Sequence, residues 1–413
     1  MKVLVLNSGS SSLKTNIYEV KGEPPVSAPE PIWRGRIEWA DDGAASVRVR
    51  NASCAAIEDT LRLGARGAAV ERVIEMAWNG AARAVESPRE IDVVGHRIVH
   101  GGGKFVTPVR LTHEVRAQIA EFAAVAPLHN QAEMEGVAIV EKKLGDVVQV
   151  GVFDTAFHST MPEHAATYAV PGEWRRMGIR RYGFHGINHR YCAERAAEML
   201  GRDASAPRIV TCHLGNGCSV SAVRGGKSID TTMGFTPLEG LAMGTRSGSI
   251  DPAIVTYLIR TGKLSAEQIE KELNTRSGLL GVSGLSSDMR EIVGAMMNGH
   301  AGAKLAFDVF VYRLRLAIGA MIAAMGGVDA IVFSGGIGEN SSEVRAAACK
   351  ELGFVGVTLD DAKNGLADGD ADVAQTGSGV RVLVIAAQED WAIARECFAF
   401  VGERGSGSAA RAT

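Results

Sequence analysis

Aromatic residues make up only 6% of this 413-residue chain, and neither sign of charge dominates: 44 Lys and Arg stand against 47 Asp and Glu, a net charge of -3. Broad nucleic-acid binding calls for a basic excess and stacking aromatics, so it is excluded as the general activity. The cluster Arg175, Arg176, Arg180 and Arg181 has no interleaved aromatics and reads as a solvated basic face. Long uncharged runs are missing as well. Leu316–Val328 spans thirteen residues, short of the roughly 20 that a membrane helix needs. Only Val3–Leu6 are apolar before the first polar run, so no signal-peptide core is expected. The six cysteines form no CxxC pair and the ten histidines no HExxH, which argues against zinc and for reduced, buried thiols in a cytoplasmic protein. No GxxxxGK[ST] loop is present, and Gly336-x-Gly338 does not have the spacing of a dinucleotide fingerprint. With 46% hydrophobic and 22% charged residues, the chain is globular. Its length points to two or three domains.

What is present is an α/β pattern. Val3–Leu6, Ile209–Leu214 and Ala330–Phe333 are short apolar runs, each feeding a turn rich in Gly, Ser or Asn. Such runs read as buried strands, and so does Val380–Ala387. Helical periodicity covers Thr112–Val125, Ala132–Leu144, Asn188–Leu200, Ser265–Leu273 and Asp288–Met325. Ser265 and Gln268 have capping-box spacing, and Gly145, Gly201 and Gly278 sit where helices should stop. The stretches VLVLNSGSSSLKTNIYEV and IVTCHLGNGCSVSAV share one plan about 205 residues apart, which points to two homologous domains. Gly225-Gly226 reads as a two-residue hairpin turn, and Pro24–Pro31, with four prolines in eight residues, as a surface loop.

Several of these turns carry chemistry. A hairpin tipped with Ser and Gly aims backbone N–H groups and hydroxyls into one small space, which suits a phosphate. Lys14 follows the first hairpin and can reach a phosphate as a point charge. Asn7 and Glu389 end apolar strand-like runs, where oxygen donors suit Mg2+; either also serves as a turn former. Arg97 and Arg246 are each framed by glycines, in GHRIVHGGG and MGTRSG. Glycines let a substrate approach the backbone, and two guanidinium forks beside phosphate hairpins point to a highly anionic transition state. Asp154 closes the run Val147–Phe153, a common place for a site carboxylate and for a helix cap, and His185 lies in YGFHG.

These residues are matched together in one family. The chain resembles the acetokinase family, of the actin-like ATPase superfamily, through NSGSSSLK (7–14), GHRIVHGGGKF (95–105), PLHN (127–130), VFDTAFHSTMP (152–162), RYGFHG (181–186), HLGNGCS (213–219), TTMGFTPLEGLAMGTRSG (231–248), SSDMRE (286–291) and SGGIGENSSEVR (334–345). It departs from the family pattern at Ser249, where an acidic residue is expected. It departs also at Ile187-Asn188, for Thr-Ser, and at Ala387-Gln388-Glu389-Asp390, for Thr-Asn-Glu-Glu.

The resemblance implies a fold of two duplicated ribonuclease-H-like domains with an interdomain active-site cleft. The expected division is 1–155, completed by a C-terminal helix at about 390–401, then 156–389 for the nucleotide, with 402–413 a tail without fixed structure. It implies reversible phosphoryl transfer between ATP and acetate, giving ADP and acetyl phosphate, with propionate or butyrate as alternative acids. Mg2+ (or Mn2+ in its place) is expected at Asn7 and Glu389. ATP contacts are implied at Lys14, at His213, Leu214, Gly215, Asn216 and Gly217, at Asp288, Met289 and Arg290, and at Gly336, Ile337, Gly338, Glu339 and Asn340. Arg97, Asp154, His185 and Arg246 are the implied catalytic residues, and Val99, Leu128, Phe184 and Pro237, with His129 nearby, the implied acyl pocket. The family is usually homodimeric. A non-catalytic filament would not need Gly-framed arginines, and a regulator would carry a DNA-binding segment; neither expectation is met.

Overall fold

The computed structural model describes the backbone of residues 1–9, 12–39, 44–61, 66–121, 127–204 and 206–409, and the side chains of the same residues except 127–132 and 403–409. It divides into two units, Met1–Ala156 with Gln388–Thr413, and Phe157–Ala387.

The first unit is built on eight strands: β1 (Lys2–Ser8), β2 (Ser12–Glu19), β3 (Trp33–Trp39), β4 (Ala45–Asn51), β5 (Ala56–Leu61), β6 (Val93–Ile98), β7 (Val109–Arg110) and β8 (Val148–Phe153). Their order is β5-β4-β3-β2-β1-β6-β8-β7. β1 to β5 form an antiparallel meander, while β1, β6 and β8 run parallel. The central β1 is apolar on both faces and buried from Val3 to Asn7, as a strand covered on both sides must be. β3 instead alternates buried and exposed residues. Two glycines set close approaches. A Cβ at Gly35 would lie 2.7 Å from the Trp33 ring, and one at Gly95 would lie 2.6 Å from Cys397 Sγ and 2.7 Å from Ile393. The final helix, Glu389–Ala409, therefore lies directly on β6, which brings Glu389 into this unit. The expected boundary after residue 389 falls instead after Ala387. The helix continues past residue 402, where an irregular tail was expected, and residues 410–413 lie outside the described ones.

The second unit holds β9 (Arg208–Leu214), β10 (Cys218–Arg224), β11 (Lys227–Thr231), β12 (Ala330–Ser334), β13 (Ala371–Asp372) and β14 (Arg381–Val384), in the order β11-β10-β9-β12-β14-β13. β9 to β11 are antiparallel, β9, β12 and β14 are parallel, and β13 returns antiparallel on β14. This repeats β3-β2-β1-β6-β8-β7 strand for strand and direction for direction. The sequence echo is thus a repeated sheet. Gly225 and Gly226 both take positive φ, 63° and 70°, as the tight turn between β10 and β11 requires.

Other local expectations were adjusted by packing. Ser265 and Gln268 form the capping box of the helix Ala266–Thr275. The long pattern Asp288–Met325 is two helices, Met289–Met297 and Ala301–Met325, broken at Gly299 (φ 83°) and restarted by His300 Nδ1 capping Ala303 N. Gly278 opens the helix Gly278–Ser283. Ser334–Asn340 is not an open turn: a helix begins at Gly335 directly after β12. Arg181 is no solvated residue. It donates to the Thr231 and Thr232 carbonyls at 2.8 and 3.1 Å and pairs with Glu239 at 2.8 Å. Cys54 is exposed and the other five cysteines are buried and unbridged. Among the described residues no helix is long and apolar enough to cross a membrane.

Candidate active site

In the first unit, five implied residues lie on strands, just after a strand or at the start of the final helix. Asn7 is the penultimate residue of β1, and Lys14 lies opposite it in the β1–β2 register, with an exposed side chain. Arg97 is near the end of β6, and Asp154 follows β8. Arg97 donates from Nε at 3.0 Å and Nη2 at 2.6 Å to Asp154 Oδ2, and from Nη1 at 3.3 Å to Asn7 Oδ1. Asp154 is 1% exposed, and its Oδ1 has no hydrogen-bond partner among the described residues. Asn7 Nδ2 donates to Glu389 Oε2 at 3.0 Å and to Asp390 Oδ1 at 2.7 Å, and Asn16 Nδ2 holds Asp390 Oδ2 at 2.6 Å. Burial works against the Arg97 charge, but Asp154 and Glu389 outweigh it and keep the guanidinium protonated. Burial pushes the Asp154 carboxyl upward while Arg97 restrains it. Burial also raises Asp390, with Lys14 and Asn7 acting the other way.

Oxygen-bearing side chains of Asn7, Glu389, Asp390 and Asp154 share this network with the Arg97 guanidinium and the Asn7 amide. That donor set fits Mg2+, which is hard, takes few protein ligands and keeps several waters. Among the described residues no group of three or more His, Cys, Asp or Glu that could hold a metal occurs, so a Mg2+ ion here would depend on Asn7 and on water beside the carboxylates.

Val99 follows β6 and is 5% exposed. Its N–H donates at 3.0 Å to Glu133 Oε1, a residue the sequence did not single out. Glu133 is 3% exposed, and its Oε2 has no hydrogen-bond partner among the described residues. Burial pushes this carboxyl up to about 8. Leu128 and His129 belong to the helix Pro127–Leu144, but their side chains lie outside the described residues.

In the second unit the β9–β10 hairpin tip, Gly215-Asn216-Gly217, is closed by Gly215 N donating to Gly217 O at 3.0 Å. It is tied to the Arg246 loop by Gly244 N donating to Asn216 O at 3.1 Å. Gly244 approaches the Asn216 side chain closely: a Cβ there would lie 2.2 Å from Asn216 Oδ1. A Cβ on Gly217 would touch His185 Nε2 and Arg246 Nη1, both at 3.4 Å, so the two implied catalytic side chains converge on this glycine. Arg246 Nη1 also reaches the Pro237 carbonyl at 3.4 Å. His185 has φ 57°, and among the described non-glycine residues only Cys54 shares a positive φ. A positive φ is uncommon outside glycine, though histidine adopts it more readily than most residues. The His213 ring lies 4.2 Å from that of His185, and Asn188 Nδ2 donates to His213 Nδ1 at 2.8 Å. Phe184 is 1% exposed, and its carbonyl accepts from His158 Nε2 at 3.0 Å.

The expected nucleotide segments have distinct local roles. Gly335 N donates to Glu339 Oε1 at 2.7 Å and Ala387 N to the same oxygen at 2.9 Å, so the Glu339 carboxylate closes the loop. Asn340 Nδ2 bonds Gly336 O at 2.8 Å. Arg345 is 2% exposed and donates to the Gly338 and Glu339 carbonyls at 2.9 and 2.8 Å and to Asn364, which fixes the short helix from below. Asp288 caps its helix through Arg290 N at 2.8 Å, Met289 is buried, and Arg290 is exposed. Leu214 is also buried. A cavity of about 540 Å³ in this unit is lined by Met296, Phe307, Ala346, Cys349 and Lys350 among others, none of them an expected nucleotide contact.

A sequence profile of the acetokinase family matches residues 2–395. The chain belongs to the acetokinase family. It is 51% identical over 401 residues to the acetate kinase of Gloeobacter violaceus, covering 96% of this chain and 99% of that one. Among solved structures it is similar to Porphyromonas gingivalis acetate kinase, with a TM-score of 0.88, 41% identity and coverage of 97% and 99%. A propionate kinase from Francisella tularensis has a TM-score of 0.87 at 36% identity, with coverage of 96% and 98%. As a member of the acetokinase family the chain is a kinase with the duplicated, actin-like α/β fold.

The departures from the acetokinase pattern have visible partners. Ser249 Oγ accepts from Gly240 N at 3.1 Å, Asn188 holds His213, and Asp390 is held by Asn7 and Asn16. Sequence reasoning passed over Asn16, Glu133, His189, Ser219 and Arg345. Two had a signal: Asn16 is two residues beyond Lys14 on one strand, and His189 is one helical turn after His185.

Proposed function

We propose that this chain catalyses the reversible, direct in-line transfer of a phosphoryl group between ATP and acetate, giving ADP and acetyl phosphate. The observation that carries this reading is the convergence of His185 Nε2 and Arg246 Nη1 on Gly217, in a member of the acetokinase family. Two donors on a side-chain-free patch suit the equatorial oxygens of a transferring phosphoryl group.

Acetate is ionised at neutral pH, so the nucleophile needs no general base. The protein's part is positioning and charge stabilisation. Arg97 orients the anionic acid and phosphoryl oxygens. Asp154, which accepts two Arg97 N–H groups on one oxygen, is an orienter of that arginine and not a proton carrier. The proposed acyl-binding residues are Val99, Leu128 and His129 in the first unit, and Phe184 and Pro237 in the second. Lys14, the hairpin 213–217, Asp288–Arg290 and Gly336–Asn340 hold the nucleotide. Asn7 and Glu389 would hold Mg2+, or Mn2+ in its place, which supplies charge neutralisation for the phosphates.

Propionate is the second reading, favoured by likeness to the Francisella propionate kinase. A second copy of the chain is the proposed partner, supported by the helix Pro252–Arg260, which buries no residue and exposes Ile254, Tyr257 and Ile259. A cytoplasmic location is supported by the absence of disulfides among the described residues.

The test is hydroxamate trapping of acyl phosphate with ATP and Mg2+ over acetate, propionate and butyrate. Acetate should give the highest kcat/KM. A higher value for propionate would move the assignment to that acid, and no trapped product with any of them would remove the activity.

A further inference from the structure

The layer between the helix Gly186–Met199 and the β9–β10 hairpin is polar where an apolar core is expected. Thr211, Ser219, His189 and Asn188 are each 1% exposed or less. Buried polar groups are costly unless every one is satisfied, and a satisfied network fixes a unique arrangement. Here the bonds form a chain. Thr211 Oγ1 lies 2.7 Å from His189 Nδ1, His189 Nε2 lies 2.7 Å from Ser219 Oγ, and Ser219 Oγ lies 2.9 Å from His185 Nδ1.

We propose that Thr211, His189 and Ser219 form a one-way relay of hydrogen bonds that holds neutral His185 with its ring proton on Nε2. They are positioning residues, and the proposal rests on the reading of His185 as a hydrogen-bond donor to the transferring phosphoryl group. Proton counting decides the direction. A neutral histidine has one N–H and a hydroxyl has one O–H, so each link can donate only once. Run outward, Thr211 O–H donates to His189 Nδ1, His189 Nε2–H to Ser219 Oγ, and Ser219 O–H to His185 Nδ1. Every buried proton then has an acceptor, and the last one stands on His185 Nε2, the atom beside Gly217. Run inward, the Thr211 hydroxyl proton is left over, and His189 is the only partner of that hydroxyl among the described residues. Leaving it unsatisfied at 1% exposure is the costlier arrangement.

His189 satisfies the requirement of neutrality. Burial, with His158 and His213 beside it, holds its pKa well below the ordinary value. The two neighbours follow the same orientation independently. His158 Nε2 faces the Phe184 carbonyl and must carry the proton, and His213 Nδ1 accepts from the Asn188 amide. A proton on Nε2 makes neutral His185 a donor toward an anion, whereas the other tautomer would turn a lone pair toward it.

The experiment is side-chain 1H–15N correlation spectroscopy on the full-length, substrate-free enzyme above pH 7.5, with His185 assigned by the signal missing from His185→Gln. Wild type should show a neutral His185 ring protonated at Nε2. Ser219→Ala should show exchange between tautomers and, with folding confirmed by circular dichroism, a kcat lower by about tenfold, as for other partners that orient a functional histidine. KM for ATP should stay near wild type. A neutral wild-type ring protonated at Nδ1 overturns the relay without any variant, and so does a folded Ser219→Ala enzyme with unchanged tautomer and kcat. If the tautomer is as expected but His185→Ala keeps wild-type kcat, the relay stands and the role of His185 as hydrogen-bond donor to the phosphoryl group is what fails.

Discussion

Arg97 places two N–H groups, Nε at 3.0 Å and Nη2 at 2.6 Å, on the same oxygen of Asp154. The pairing is one-sided: Oδ2 takes both N–H groups, and the buried Oδ1 has no hydrogen-bond partner among the described residues. On the proposed reading Asp154 acts through the arginine. Asp154→Asn should lower kcat by the same factor at pH 6 and pH 9, because an orienter contributes no titrating step. It should also destabilise the fold by on the order of 2 kcal/mol, below the usual cost of breaking a buried pair because Arg97 keeps Asn7 and some solvent. Steady-state kinetics at both pH values, with thermal denaturation, checks this. A kcat loss confined to one limb of the pH profile would return Asp154 to a proton-transfer role.

Arg246 should act in the transition state more than in nucleotide binding. Its Nη1 stands beside Gly217 with His185 Nε2. Arg246→Ala should lower kcat by roughly 10^2–10^4, by analogy with loss of an oxyanion donor or an arginine finger. KM for ATP should change far less. Arg246→Lys should restore only part of the rate, since a point charge cannot reproduce the fork. Near wild-type kcat with weakened ATP binding in the folded Ala variant would contradict this.

Val99 is a wall of the acyl pocket on the proposed reading. One methylene in an apolar pocket is worth roughly 1–3 kcal/mol, so Val99→Ala should improve kcat/KM for propionate and butyrate relative to acetate by up to tens of fold. Unchanged ratios across the three acids would place Val99 away from the substrate.

Glu133 gives a pH signature. Burial lifts its carboxyl from an ordinary 4.5 to about 8. Below 4.5 both folded and unfolded chains hold the proton, and the group has no effect. Between 4.5 and 8 only the folded chain holds it, so its contribution to stability falls as pH rises and levels off above 8. Glu133→Gln keeps the acceptor for Val99 N–H and removes the titration. The variant should gain on wild type in thermal stability between pH 5 and pH 8, by an amount on the order of a few kcal/mol at most. Parallel melting curves across that range would show that Glu133 is ionised in the fold.

The metal reading has its own measurement. Glu389→Ala should raise the Mg2+ concentration needed for half-maximal rate, since one oxygen donor of the set is lost. A titration that overlays wild type would exclude Glu389 from the metal.

Local rules were enough for much of this protein. Apolar runs closed by Gly and Ser marked β1, β9 and β12, Ser265 and Gln268 marked a helix start, and Gly225-Gly226 marked a turn, because each depends on neighbours within a few residues. Glycine framing drew attention to Arg97 and Arg246, because close approach to backbone is itself a local property. What joins distant segments could not be read that way. Glu389 meets Asn7 across 382 residues because the final helix lies on β6, where Gly95 leaves room for Cys397 and Ile393. Glu133 reaches Val99 and Ser219 reaches two histidines only once helices are laid on sheets. Nothing in the composition of those residues distinguishes them from surface polar groups; burial does, by stripping away water and making each remaining partner decisive.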